Sequence, residues 1–167
     1  MRLFRGNFLF IFILFSGVFI VSCKKPNPTY EVSYSKFKIK QVTITAIPFT
    51  DDSGSSWDVG ISGYENPDVF VNIEDSIGNI IHDGTTDVRN NLQSSALPIS
   101  FTYSTPLQIE NLSAIRDISV YDDDSPISSN DLIGKVSIKM EDYKNGYPTT
   151  ITKTFSGITV TITGEWY

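Results

Sequence analysis

VYDDDSPISSNDLIG, residues 120–134, packs Asp122, Asp123, Asp124 and Asp131 into one short segment. The run that leads into it, Ile118-Ser119-Val120-Tyr121, is β-prone, and the two-residue period of a strand puts Ile118, Val120, Asp122 and Asp124 on one side. A core-facing strand face therefore runs straight into an acidic loop. Like charges held this close raise one another's pKa and cost stability unless a counter-ion is present. A hard divalent cation removes that cost. Calcium takes six to eight oxygen ligands in irregular geometry, so Asp with Ser, Asn and backbone carbonyls suits it better than zinc or copper.

Outward from this stretch, the rest of the chain reads as short strands between turn-rich loops. Phe37 and Ile39 fall on one face and Val42, Ile44 and Ala46 on the other, a flip at Gln41 that a bulge or a crossing between sheets would explain. Residues 68–75 and 79–82 flank Ser76-Ile77-Gly78 as a hairpin, and residues 98–103, 107–110, 115–122 and 132–140 follow. Val136, Ile138 and Met140 alternate with Lys135, Ser137 and Lys139, as in a strand with one wet face. Residues 149–155 and 158–166 pair across Ser156-Gly157. Helical periodicity is absent beyond the leader. Seven or eight such strands predict an all-β antiparallel sandwich.

Two fragments carry a resemblance. Asp122-Asp123-Asp124, a short polar stretch and then Asp131-Leu132-Ile133-Gly134 resemble the third calcium loop of the C2 domain, the calcium-dependent lipid-binding β-sandwich. Asp68-Val69-Phe70-Val71-Asn72-Ile73 is similar to that family's Asp-Pro-Tyr-Val-Lys-Val strand, which follows its first calcium loop. The resemblance implies a C2-like sandwich. It also implies a calcium site in which Asp58 and Asp68 from the first loop meet Asp122, Asp124 and Asp131 from the third, with Asp52 and Asp123 as further candidates. The first loop is long: Asp58 lies ten residues before Asp68, and Asp51 and Asp52 lie further back. An apolar rim of Trp57, Val59, Ile61, Tyr64, Pro126 and Ile127 would border the cation, with Trp57 and Ile127 its foremost ligand contacts. The alternative for Trp57 is that it folds back to cap the core.

The N-terminus reads as an export leader over residues 1–22. Arg2 and Arg5 precede an apolar run at residues 8–21, too short for the ~20 residues of a permanent span. Ile20-Val21-Ser22-Cys23 resembles a bacterial lipobox, which implies cleavage before Cys23 and acylation of that residue. Each buried methylene would add roughly 0.8 kcal/mol to membrane binding. Lys24 is not Asp, so by resemblance to Gram-negative lipoproteins the inner-membrane retention signal is missing and the outer membrane is expected, on a face left open. Residues 23–35 make a polar tether with Pro26 and Pro28, and residues 36–167 one domain large enough for a core. Cys23 is the only cysteine, so no disulfide can hold that domain.

Loss of Arg2 and Arg5 with the leader leaves 11 basic residues against 19 acids, a net charge of −8. That balance argues against a nucleic-acid partner. A phospholipid, glycan or protein ligand is expected instead, since a calcium-loaded acidic loop reverses its own potential. Catalysis finds little support. His82, the one histidine, sits beside Asp83 without an identifiable nucleophile, and no phosphate loop, HExxH or CxxC pattern occurs. Paired carboxylates could act as glycosidase acid and base, but four Asp in one loop would compete and no cleft wall is evident. The expectation is a non-enzymatic, lipid-anchored calcium-binding module; the alternative is a metal-free structural lipoprotein that binds a protein partner.

Overall fold

The strand that ends at Asp122 organises one of two packed sheets. The structure, a computed structural model, describes residues 33–58, 66–126 and 128–167. The leader, the acylation candidate Cys23 and the rim residues Val59, Ile61, Tyr64 and Ile127 lie outside the described residues. In chain order the strands are β1 (Phe37–Ala46), β2 (Val69–Asp75), β3 (Ile80–His82), β4 (Ile99–Ile109), β5 (Ile115–Asp122), β6 (Asp131–Lys139), β7 (Thr150–Phe155) and β8 (Ile158–Trp166). They form two four-stranded antiparallel sheets, ordered β4-β1-β8-β7 and β3-β2-β5-β6. This is the all-β antiparallel sandwich of eight strands that the strand pattern predicts. Among the described residues no helix is long and apolar enough to cross a membrane.

The core lies between the sheets, where every strand except the short edge strand β3 contributes buried residues. Ile118 and Val120 of β5, Val136 and Ile138 of β6, and Val160 and Ile162 of β8 are all buried. In β1 the flip at Gln41 is a bulge: the ladders to β4 and β8 both shift register between Ile39 and Gln41. The extra residue turns the following chain over, so Phe37, Ile39, Val42 and Ile44 all face the same core instead of opposite sides. A second shift follows Ile44, after which Ile47 rather than Ala46 takes the core position.

Two expected boundaries move. Residues 98–103 and 107–110 belong to the single strand β4, whose ladder to β1 is interrupted between Thr102 and Leu107. Pro106 has no N–H to donate, and β4 tolerates it because it is an edge strand. The apolar alternation of β6 ends at Lys139, and Met140 opens a 3₁₀ turn, Met140–Tyr143, while still reaching the core. The β7–β8 hairpin closes at the expected two residues, with Ser156 and Gly157 both at positive φ (46° and 80°), as the right-handed twist of paired strands requires.

These connections divide the loops between two poles. The β1–β2, β3–β4, β5–β6 and β7–β8 loops share one end with Asp122. The opposite end holds residues 33–36, the β2–β3 and β4–β5 turns, the 3₁₀ turn after β6, and the C-terminal Tyr167. There the backbone N–H groups of Ser35 and Lys36 donate to the Tyr167 carbonyl, at 3.2 and 3.1 Å.

Candidate metal centre

The inward face of β5 carries Ile118, Val120 and Asp122, all with no exposed surface. An aspartate thus occupies what would be the next core position, where the strand reaches the loop end of the sandwich. Its Oδ1 accepts the backbone N–H of Asp68 at 2.6 Å, while Oδ2 is buried without a hydrogen-bond partner. A buried carboxylate oxygen with nothing to bond is costly, and such an atom calls for a ligand or a proton.

Two further carboxylates converge on it. Asp58, from the β1–β2 loop, and Asp124, two residues beyond β5, each bring an oxygen so that the three ligand atoms lie within 4.8 Å of one another. Burial is the first cause of the shift on all three groups, with repulsion added. Asp122 is pushed up to about 7, by desolvation and then by Asp58, Asp124 and Asp68. Asp58 is raised by desolvation and then by Asp68 and Asp124. Asp124 is raised by desolvation, Asp131, Asp123 and Asp68. A divalent cation among these oxygens would satisfy the bare Oδ2 and cancel the repulsion, so the donor set fits calcium.

The remaining sequence candidates take different places. Asp68 borders the three; its carboxylate Oδ1 accepts the backbone N–H of Asn91, and its carbonyl accepts that of Asp123 at 2.8 Å. Asp131 is exposed and stands opposite Asp122 in the β5–β6 ladder. A bulge puts it there: the register shifts so that Val120 faces Gly134 but Tyr121 faces Leu132, leaving Ile133 as the extra residue. Without that shift in register Leu132 would oppose Asp122. Asp123 turns into its own loop, where Oδ1 accepts the Ser125 N–H at 3.2 Å. Asp52 is exposed and borders, with Asp131, Leu132, Pro48 and Trp57, a neighbouring cleft of about 620 Å³. Asp51 is spent on its own turn, accepting Ser53 and Ser55 N–H groups at 2.9 and 2.8 Å.

Trp57 does not stand out as an exposed rim. It is half-buried against the core, and its indole N–H donates to the Pro48 carbonyl at 3.0 Å. The large exposed apolar side chains at this end are Leu132 and Phe155, 46% and 65% exposed. A further support was not foreseen. The β3–β4 loop runs beside the site, bridged to β2 through Arg89 and Val69 (N···O 3.0 and 2.7 Å), and Asn91 at φ 47° aims its N–H at Asp68. Asn tolerates that left-handed backbone, a signal that the Asn90-Asn91 pair offers only once the loop is placed. His82 packs edge-on against Tyr103, ring centroids 4.4 Å apart, in another cleft between β3 and β4.

No protein-family model and no curated protein matches the chain. Among solved structures it is similar to human GIVD cytosolic phospholipase A2, in complex with methyl gamma-linolenyl fluorophosphonate, at 16% identity and TM-score 0.48. That likeness covers 78% of this chain and 17% of the phospholipase chain. It is also similar to CC2D1B, described as coordinating ESRCT-III activity during the mitotic reformation of the nuclear envelope, at 12% identity and TM-score 0.43, covering 81% of this chain and 57% of that one. The chain therefore spans less than two thirds of either. Likenesses at this level carry no function across.

Proposed function

We propose that the protein is a membrane-anchored envelope lipoprotein whose C2-like domain binds calcium and uses the loaded end to recognise a ligand. Asp58, Asp122 and Asp124 are the primary ligands, and Asp68 and Asp131 supply further oxygens from either side. The observation that carries this reading is Asp122 itself: a carboxylate at a core position, one oxygen bare, with two other carboxylates within ligand distance. Calcium would cancel most of the charge of a repulsive cluster, one divalent cation against the three carboxylates of Asp58, Asp122 and Asp124, so capture of a phospholipid, glycan or protein ligand would depend on the metal. Acylation of Cys23 would supply the anchor, with the outer membrane as its location, and the domain would act by binding rather than by catalysis. Asp131 and Asp52 on the wall beside Trp57 give the ligand a cleft next to the cation.

Calorimetric titration of calcium into the soluble protein from Pro26 onward tests the reading. The expected Kd is of the order of 10⁻⁴ to 10⁻³ M, as in extracellular calcium modules. Asp122→Asn with Asp124→Asn should abolish the heat. An unchanged titration in that double variant, or no binding up to ~10 mM in the parent, ten times the weak end of that range, would leave a metal-free interaction module.

A further inference from the structure

We propose that the pole opposite the acidic cup rests on the anchoring bilayer, so that the cup faces away from that membrane and takes a partner carried elsewhere. This rests on the anchor reading above and adds an orientation that the reading does not contain. The first observation is where the described chain begins. Ser35 and Lys36 are hydrogen-bonded to Tyr167 at the far pole, and β1 then runs its ten residues from Phe37 towards the cup. At about 3.3 Å per residue that strand alone separates the two ends by roughly 33 Å, before the cup loops are added. Twelve residues lead from Cys23 to Ser35. Even drawn out fully they reach about 40 Å. The cup could touch the same bilayer only with the tether at full stretch along the sandwich.

Charge points the same way. Among the described residues of the cup-side loops, Arg89 is the only base, against the aspartates of the site and Asp51, Asp52, Asp83 and Asp87. At the tether pole acids and bases balance in pairs, Lys36 with Glu110 at 2.9 Å and Lys139 with Glu141 at 3.0 Å. An anionic lipid surface repels the first end and not the second.

The tether pole also offers apolar contact. Ile77, in the β2–β3 turn, is 82% exposed, Ile80 at the start of β3 is 56% exposed, and Ile115 at the start of β5 is 45% exposed. Single exposed apolar residues are ordinary, but three isoleucines at the end where the lipid-bearing segment joins suit shallow burial in the headgroup region.

The test uses the acylated full-length protein in vesicles of phosphatidylethanolamine and phosphatidylglycerol. Acylation blocks Cys23, the only native cysteine, so Ile77→Cys and Ser156→Cys each carry a single fluorophore at opposite poles. Lipids with a spin label near the headgroup should quench the dye at position 77 at least twofold and leave the dye at position 156 unchanged, in chelator and in calcium alike. Quenching at 156 with release at 77, or quenching at neither, would overturn the orientation. Flotation with the vesicles and the mass of the N-terminal peptide report the anchor separately. A protein that floats and is acylated but shows the reversed pattern refutes only the orientation, whereas an unacylated, non-floating protein removes the anchor reading and this proposal with it.

Discussion

Asp122→Asn should make the metal-free protein more stable, by an amount that depends on pH in a defined way. In the folded protein the Asp122 carboxyl is raised from 3.8 to about 7, so ionising it costs more in the fold than in the unfolded chain. Below the unfolded pKa both states hold the proton and the cost is absent. As pH rises from about 4 to about 7 the unfolded state loses its proton first, and stability falls by about 1.4 kcal/mol per unit, reaching about 4 kcal/mol in all. Asparagine carries no charge, its Oδ1 can still accept the Asp68 N–H, and its NH₂ finds the Asp58 and Asp124 carboxylates near the bare oxygen's position. Urea unfolding of both proteins in chelator, from pH 4 to pH 8.5, isolates this group, because the other carboxylates are common to the two. The difference in unfolding free energy should start near zero, grow in favour of the variant, and level off above pH 7. A difference that is flat with pH, or a variant less stable than its parent at pH 8, would show that Asp122 is not a buried, repelled carboxylate.

Other consequences follow from the same geometry. Protons and calcium compete for Asp122, Asp58 and Asp124, all shifted upwards, so calcium affinity measured by calorimetry should weaken several-fold between pH 7.5 and pH 5.5. Trp57→Phe should cost about 1 kcal/mol in chemical denaturation, through loss of the indole bond to Pro48, whereas a freely exposed rim residue would be silent. Gly164→Ala should cost about 3 kcal/mol, because a Cβ there would lie 2.1 Å from the Lys38 carbonyl oxygen and 2.4 Å from the Phe37 ring, and thermal unfolding reads it. Ile162→Ala, at a fully buried position between the sheets, should cost 2 to 5 kcal/mol with no change in calcium affinity, since it lies away from the cup.

Some of this was legible in the residues and some was not. The period of two carried Ile118, Val120 and Asp122 onto one face, and Ser156-Gly157 marked its hairpin, because both signals are local. The bulges were harder. Gln41 announced one, since the apolar pattern breaks there, but Ile133 did not: Leu132 and Ile133 are both apolar, and either register reads well until the ladder to β5 is seen. Which first-loop aspartate lies nearest Asp122 depends on how a long loop folds: in the sequence Asp58 is the first candidate and Asp52 a further one, and the fold brings Asp58 to Asp122 and Asp124 while Asp52 borders the neighbouring cleft and Asp51 bonds its own turn. Trp57 has an apolar body and a polar edge, which serves a rim and a core cap equally well; the Pro48 carbonyl decides between them. Asn91 supports Asp68 from a third loop, a contact between residues 23 apart that no short motif records.

Thermal unfolding of the soluble protein in calcium and in chelator at pH 7.5 tests the central claim most directly. A ligand that binds only the folded state adds RT ln(1 + [L]/Kd), which at 10 mM calcium is about 1.4 kcal/mol for a Kd of 1 mM and about 2.7 kcal/mol for 0.1 mM. The midpoint should therefore rise by roughly 5 to 10 °C in the parent and stay fixed in the Asp122→Asn, Asp124→Asn variant. Equal midpoints with and without calcium, or an equal rise in the variant, would contradict a calcium site built on Asp58, Asp122 and Asp124.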